Sequence, residues 1–375
     1  MKIAYLVVKN FYRGGGIEKY TREVATRLVR RGHDVTVFSM GHYGSREDSC
    51  DGVKIRYVPC IRKSFAEKLS ASASAALAAM WQRPRVDIVH LHSVAAGAFG
   101  WLPWMRGIPC VLQMHGIEWQ RSRWGSGGRG MLKGLEWLSL RQADALTAVS
   151  QVQCDFYQST NDVQMSCIPT GADIKTPVPP REILQLGLQS QKYILFASRL
   201  VREKGAHYLI PAFRKLDTDC RLVIAGDAKG EDAYKAELRQ LAAGDERILF
   251  PGFVQGRLLE ELFSNALLYV QPSEVEGLSI ALLEAMSYGN LCVVSDIPEN
   301  REALGDTGLS FRSRDIDDLQ RVLTVALANP HQREELGAQA RRRVADNYSW
   351  DRITDQLEAV YSELVCNRTK ASLGA

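Results

Sequence analysis

Apolar residues along this chain fall in short continuous runs rather than in polar–apolar alternation. Residues 3–8 read Ile-Ala-Tyr-Leu-Val-Val, and comparable runs occupy 35–39, 53–58, 86–90, 109–114 and 145–149. A run with no alternation belongs to a strand covered on both faces, as in a parallel sheet flanked by helices. Between these runs, residues 17–31 (ended by Gly32) and 65–82 have helical spacing. The pattern then repeats, with strands expected at 193–198, 221–226, 247–250, 266–270 and 291–295 and helices at 205–216, 232–242 and 279–289. Two such series predict two Rossmann-like α/β domains, each built on a parallel sheet. Pro177, Pro179 and Pro180 stiffen the crossing that follows Ile168-Pro169-Thr170-Gly171-Ala172-Asp173. Tyr348-Ser349-Trp350 opens a last helix with Ile353, Leu357, Val360, Tyr361 and Leu364 on one face. The domains are therefore drawn at 1–174 and 175–347, with 348–375 as helix and tail.

The stretch after the run at 266–270 carries the most chemistry. Pro272-Ser273-Glu274-Val275-Glu276-Gly277-Leu278 leads to Ser279, a good N-cap, and Gly289 suits the left-handed position after a helix. A strand–loop–helix unit of this kind aims free N–H groups and a positive helix end outward, which is an anion seat. Glu284 stands among Leu282, Leu283, Ala285 and Met286, so its carboxylate needs partners. Helix rise sets Glu276 and Glu284 about 10–12 Å apart with that seat between them. A sugar nucleotide has the same layout, hydroxyls at both ends and an anionic diphosphate in the middle. Arg199 ends the strand at 193–198 and Lys204 precedes the next helix, so both cations can reach a diphosphate held there.

The first half offers fewer signals. Gly14-Gly15-Gly16 sits where ligands of doubly wound sheets bind, but it is not the dinucleotide fingerprint. His115 ends the strand at 109–114 and is expected at the sheet crevice; His90 and His92 alternate on one strand, His90 reading as a core imidazole and His92 lying nearer the crevice. Trp101, Trp104, Trp119, Trp124 and Trp137 are interleaved with Arg106, Arg121, Arg123, Arg129, Lys133 and Arg141. That mixture in segment 101–141 suits an anionic membrane surface or a lipid-diphosphate acceptor, with 125–130 read as a glycine-rich mobile loop. Nucleic acid is set aside for want of a motif. Asp217/Asp219 and Asp315/Asp317 have metal-pair spacing but lie in a turn and at a helix start, and no metal is expected.

Composition adds limits. The 375 residues suit two domains, and a net charge of +4 argues for no polyanionic partner by itself. Eight scattered cysteines read as reduced thiols, and residues 3–8 are too short for a signal core. The expectation is a soluble cytoplasmic protein, with peripheral contact at the inner face of the cell membrane.

Taken together, Arg199, Lys204, Glu276, Glu284 and His115 resemble the motifs of family 4 retaining glycosyltransferases, of the bacterial polysaccharide-biosynthesis type. The resemblance covers almost the whole chain. It implies the GT-B fold, with two Rossmann-like domains facing across a cleft and a final helix crossing back to the first. It also implies transfer of a hexose-type sugar from a UDP- or GDP-sugar, a substrate rather than a cofactor, to a glycan or polyprenyl-diphosphate-linked acceptor. In that reading Arg199 and Lys204 stabilise the leaving diphosphate with the N–H groups at Gly277, Leu278 and Ser279. Glu284 takes the ribose, and Glu276 and His115 hold the sugar. Gly15 and Gly16 approach the donor phosphate or the acceptor, and the Gly252-Phe253-Val254 backbone meets the base at Val254. Thr170, Ala172 and Ser198 depart from the usual Asn, aliphatic residue and Gly. No residue stands out as a covalent nucleophile, which favours front-face attack. A GT-B-fold sugar-nucleotide epimerase and a non-catalytic sugar-nucleotide-binding membrane scaffold remain as alternatives.

Overall fold

The computed structural model describes residues 1–12, 15–44, 48–120 and 124–373. Gly14, Arg121 and Arg123 lie outside the described residues. The chain divides into two compact units, one of Met1–Thr170 with Trp350–Ala375 and the other of Gly171–Ser349.

The first unit holds β1 (Lys2–Val8), β2 (Asp34–Met40), β3 (Asp48–Cys50), β4 (Val53–Val58), β5 (Ile88–His92), β6 (Cys110–Met114), β7 (Ala145–Ala148) and β8 (Ser166–Cys167). Their order in the sheet is β3-β4-β2-β1-β5-β6-β7-β8, and every ladder is parallel except β3 with β4. The short β3 and β8 have no apolar run to announce them. The strand expected at 86–90 is β5, shifted to Ile88–His92, because Asp87 is spent at its foot: its carboxylate accepts the Lys2 N–H at 2.7 Å and its own N–H donates to Lys2 O. That shift puts His92 at the strand's end.

One expectation is corrected. Residues 125–130 are not a mobile loop: Ser126–Gln142 is a helix that starts immediately after Gly125. Leu132, Glu136, Ser139 and Leu140 bury one face of it, and the Ser139 hydroxyl donates to Val94 O at 2.8 Å. Tertiary burial of that stripe outweighs the entropic cost of its glycines.

The last helix, Trp350–Leu373, belongs to the first unit. Trp350, Ile353, Leu357 and Tyr361 are fully buried, Trp350 edge-on to Tyr20 at 5.7 Å. The Tyr361 hydroxyl meets that of Tyr5 at 3.0 Å and His90 Nδ1 at 2.7 Å.

In the second unit β9 (Tyr193–Ala197), β10 (Arg221–Ala225), β11 (Ile248–Gly252), β12 (Leu268–Gln271), β13 (Cys292–Ser295) and β14 (Leu309–Phe311) form a parallel sheet ordered β11-β10-β9-β12-β13-β14. Strand order reverses between β9 and β12 here, and between β1 and β5 in the first unit. Loops leaving such strands diverge to opposite faces, which opens a ligand crevice at the carboxyl edge.

Two glycines set how tightly that edge closes in the second unit. Gly226, after β10, has φ 147° and leaves no room for a Cβ beside Ser198 O. Gly205 has φ 76°, and a Cβ there would lie 1.9 Å from Pro272 O. Gly205→Ala is therefore expected to cost several kcal/mol, roughly 2–4, from combined left-handed strain and backbone clash. Gly134→Ala, exposed within Ser126–Gln142 and with nothing within 4 Å, is expected to gain about 0.5–1 kcal/mol. Urea unfolding of both variants checks this, and a neutral Gly205→Ala refutes the close approach.

Candidate functional site

In the second unit the loops after β9 and β12 converge. Pro272–Leu278 leaves β12, and Ser279 caps the helix Ile280–Ser287 by accepting from Leu282 N at 3.3 Å. Gly289 closes that helix at φ 82°, in the left-handed conformation expected of it. The loop is held from below. Ser279 Oγ donates to Gln271 Oε1 at 2.6 Å, Gln271 Nε2 donates to Asn300 Oδ1 at 2.8 Å, and Ser295 Oγ donates to Ser273 O. It is held from the side by Glu274 N donating to Glu203 O at 2.8 Å, and by the Glu274 carboxylate, which takes the Tyr208 hydroxyl at 2.8 Å and Arg314 at 2.7 Å.

Lys204 and Glu276 meet on this scaffold. Lys204 Nζ lies 2.5 Å from Glu276 Oε1, with the side chains only 13% and 6% exposed. Taking two charges out of water costs several kcal/mol each, so a pair this buried contributes little net stability. Its value lies in presenting a cation and an acid at a fixed place. Arg199 is more open and lies 3.6 Å from Glu203. The phenol of buried Tyr269 is raised well above its ordinary range, first by burial and then by charges that include both Glu276 and Glu284. Glu284 is half-buried on the helix Ile280–Ser287. Val254 follows β11 and is half-buried, after Gly252 at φ 77°.

Sequence reasoning missed the supports. Gln271, Asn300, Glu203 and Tyr208 come from four separate segments, and nothing local marks them. It also missed Glu299, whose carboxyl is pushed up by burial and by the nearby charge of Glu276. The two Asp pairs play structural parts: Asp315 caps Ile316–Ala328, and Asp219 pairs with Lys192 at 3.1 Å.

The first unit gathers its own polar groups at the carboxyl edge. Gly15 precedes the helix Gly16–Arg30, and its N–H donates to Glu18 Oε2 at 2.8 Å. Both glycines are exposed. His115, just past β6, meets His92 of β5, with His115 Nε2 and His92 Nδ1 3.0 Å apart. His92 Nε2 lies 2.8 Å from the Thr21 hydroxyl, which itself donates to Ile17 O at 2.8 Å. With that proton spent, Thr21 accepts from His92 Nε2–H, and His92 Nδ1 accepts from His115 Nε2–H. This network leaves His115 Nδ1 as an acceptor, the form that can receive a hydroxyl proton. His90 is a core imidazole, bonded to Tyr361 through Nδ1.

The tryptophans divide. Trp119 donates from Nε1 to buried Glu136 at 3.0 Å, and Trp119 and Trp124 pack on the core. Trp101, Trp104 and Trp137 are exposed, as is Trp81 outside the predicted segment. Arg106 stacks on Trp81 at 4.6 Å and Arg141 on Trp137 at 4.1 Å.

Two family comparisons together span most of the chain: "Glycosyltransferase Family 4" matches residues 14–176 and "Glycosyl transferases group 1" matches 182–343. A D-inositol 3-phosphate glycosyltransferase from Xylanimonas cellulosilytica is 27% identical, covering 94% of this chain and 93% of that one. Among solved structures, sucrose-phosphate synthase from Thermosynechococcus elongatus superposes with TM-score 0.84 at 20% identity, covering 98% of this chain and 100% of its own. HepE from Anabaena, in complex with UDP and glucose, gives 0.80 at 19%, covering 97% and 100%.

Burial pushes His115 down from the ordinary 6.5 to about 3 and puts His90 and His92 well below that ordinary value. The unfolded chain thus binds more protons than the native one once pH falls below 6.5, so stability is complete above that pH and is lost on acidification. Each imidazole contributes a slope of about 1.4 kcal/mol per pH unit. Urea unfolding from pH 7 to 5 is expected to show the loss. Imidazole NMR should show none of the three titrating across that range, and a resonance titrating near 6.5 from any of them would contradict the network.

Proposed function

The chain belongs to the family 4 glycosyltransferases of GT-B fold, and we propose that it transfers a hexose-type sugar, with retention, from a nucleoside-diphosphate sugar to a glycan or lipid-linked glycan acceptor. The observation that carries this reading is the buried Lys204–Glu276 pair at the β9/β12 reversal, with Glu284 one helix away. Lys204, with Arg199 beside it, neutralises charge growing on the departing diphosphate. Glu276 accepts hydroxyls of the sugar and Glu284 those of the ribose. The Val254 backbone borders the base. In the first unit His115, fixed by His92, presents Nδ1 as a hydroxyl acceptor, and Gly15 and Gly16 offer backbone to the acceptor.

Lys204 grips the Glu276 carboxylate, which disfavours that acid as a covalent nucleophile. The reaction is then a front-face exchange. The bond from the anomeric carbon to the diphosphate oxygen breaks, the acceptor oxygen bonds to the same face, and the acceptor proton passes to the departing phosphate. No metal takes part in this scheme.

The acceptor reading rests on the exposed tryptophans. Trp81, Trp104 and Trp137 are 63%, 58% and 52% exposed, and Arg106 and Arg141 lie on two of those rings. Indole rings beside guanidinium groups fit the headgroup level of an anionic bilayer. The contact proposed here is peripheral; among the described residues no helix is long and apolar enough to cross a membrane.

A thermal-shift panel of UDP-, GDP- and ADP-sugars tests the donor reading, headed by UDP-glucose. The right donor at 100 times its Kd should stabilise by about 2.7 kcal/mol. Glu284→Ala should abolish that shift, and Lys204→Ala should lower kcat by about 10²–10³-fold. A panel in which no nucleoside-diphosphate sugar moves the melting temperature refutes the proposal. Co-sedimentation with phosphatidylglycerol vesicles tests the membrane reading. Arg106→Glu with Arg141→Glu should weaken binding by about 1 kcal/mol or more per site, and equal binding to neutral vesicles would refute it.

A further inference from the structure

A second reactive cluster lies in the first unit, apart from every residue assigned above. β2 and β4 run parallel with Met40 opposite Val58, so residues two beyond each partner emerge side by side. They are His42, in the single turn Gly41–Tyr43, and Cys60. Gly41 permits this: a Cβ on it would lie 2.8 Å from Val58 O. His42 Nδ1 is 3.2 Å from Cys60 Sγ, and its Nε2 is 2.7 Å from Glu67 Oε1, on the first turn of the helix Ser64–Trp81. The Tyr43 ring covers the imidazole at 4.1 Å between centroids. Segment and helix are tied together by Ile61 N donating to Ser70 Oγ at 2.9 Å.

Sulfur, imidazole and carboxylate in that order are nucleophile, base and orienter. Glu67 accepts the Nε2 proton, so Nδ1 is bare toward the thiol. The imidazole and carboxylate are 15% and 18% exposed, and Cys60 is partly exposed, so a small reagent has access while the base is shielded. The imidazole thus stands between the thiol and the carboxylate, with Nδ1 3.2 Å from Cys60 Sγ and Nε2 2.7 Å from Glu67 Oε1, which points to chemistry at sulfur.

We propose that Cys60, His42 and Glu67 form a thiol-modification site that exchanges with low-molecular-weight disulfides of the glutathione class. The Cys60 thiol passes its proton to His42 Nδ1 as sulfur attacks one sulfur of the disulfide. The S–S bond breaks, a Cys60 mixed disulfide forms, and the departing thiolate takes the proton from His42 to leave as a thiol. Cys60 is oxidised and half of the reagent is reduced, so no further oxidant is needed.

The test incubates the reduced full-length chain with glutathione disulfide at pH 7, quenches with acid and counts adducts by peptide mass spectrometry. Cys366, exposed on the last helix, is the internal reference. Cys60 is expected to react at least tenfold faster than Cys366. His42→Gln should bring it to the reference rate, and Glu67→Gln should slow it while leaving Cys366 unchanged. Glu67→Gln keeps size and shape, so it decides the matter even where His42→Gln does not fold. A Cys60 rate no greater than that of Cys366, or one indifferent to Glu67→Gln, overturns the proposal.

Discussion

The candidate donor site depends on one close approach, that of the turn after β9 to the loop after β12. Gly205 makes it possible, because only a residue without Cβ fits under Pro272 O with a left-handed backbone. The approach carries Lys204 to Glu276 and the Glu203 carbonyl to the Glu274 N–H. A buried cation and acid on a parallel-sheet edge stabilise the fold little by themselves. The Ser279–Gln271–Asn300 chain beneath them fixes the start of the helix Ile280–Ser287.

The first unit uses burial differently. Three imidazoles lie close together along β5 and just past β6, with His90 and His92 ring centroids 4.7 Å apart and His92 and His115 5.0 Å apart. Charging one would set it against the others in a poorly hydrated place. The cluster therefore stays neutral, and neutral imidazoles have a definite donor side and acceptor side. Thr21 chooses which is which. His115 is then a directional acceptor rather than a cation, a useful property beside a sugar and a poor one for holding phosphate.

Much of this was readable along the chain. The unalternated runs at 3–8 and 193–198 became β1 and β9, and the apolar stripe from Ile353 to Tyr361 became the buried face of the last helix. Ser279 and Gly289 act at the helix ends as their chemistry predicts. The errors have physical causes. β3 and β8 are polar and two or three residues long, so pairing rather than hydrophobicity defines them. Residues 125–130 read as a loop because glycine disfavours a helix in isolation; burial of Leu132 and Leu140 decides otherwise.

What is local could be read from the residues alone: two series of buried strands, the capped helix after Ser279, and the residue types able to meet a sugar nucleotide. Periodicity and capping act within a few residues of one another, so they survive translation into one dimension. Which groups meet depends on how the chain packs in three dimensions. Lys204 and Glu276 lie 72 residues apart, and His42, Cys60 and Glu67 come from a turn, a loop and a helix. Those encounters follow from strand order and from the space a glycine leaves, and neither is written in the spacing of the residues concerned.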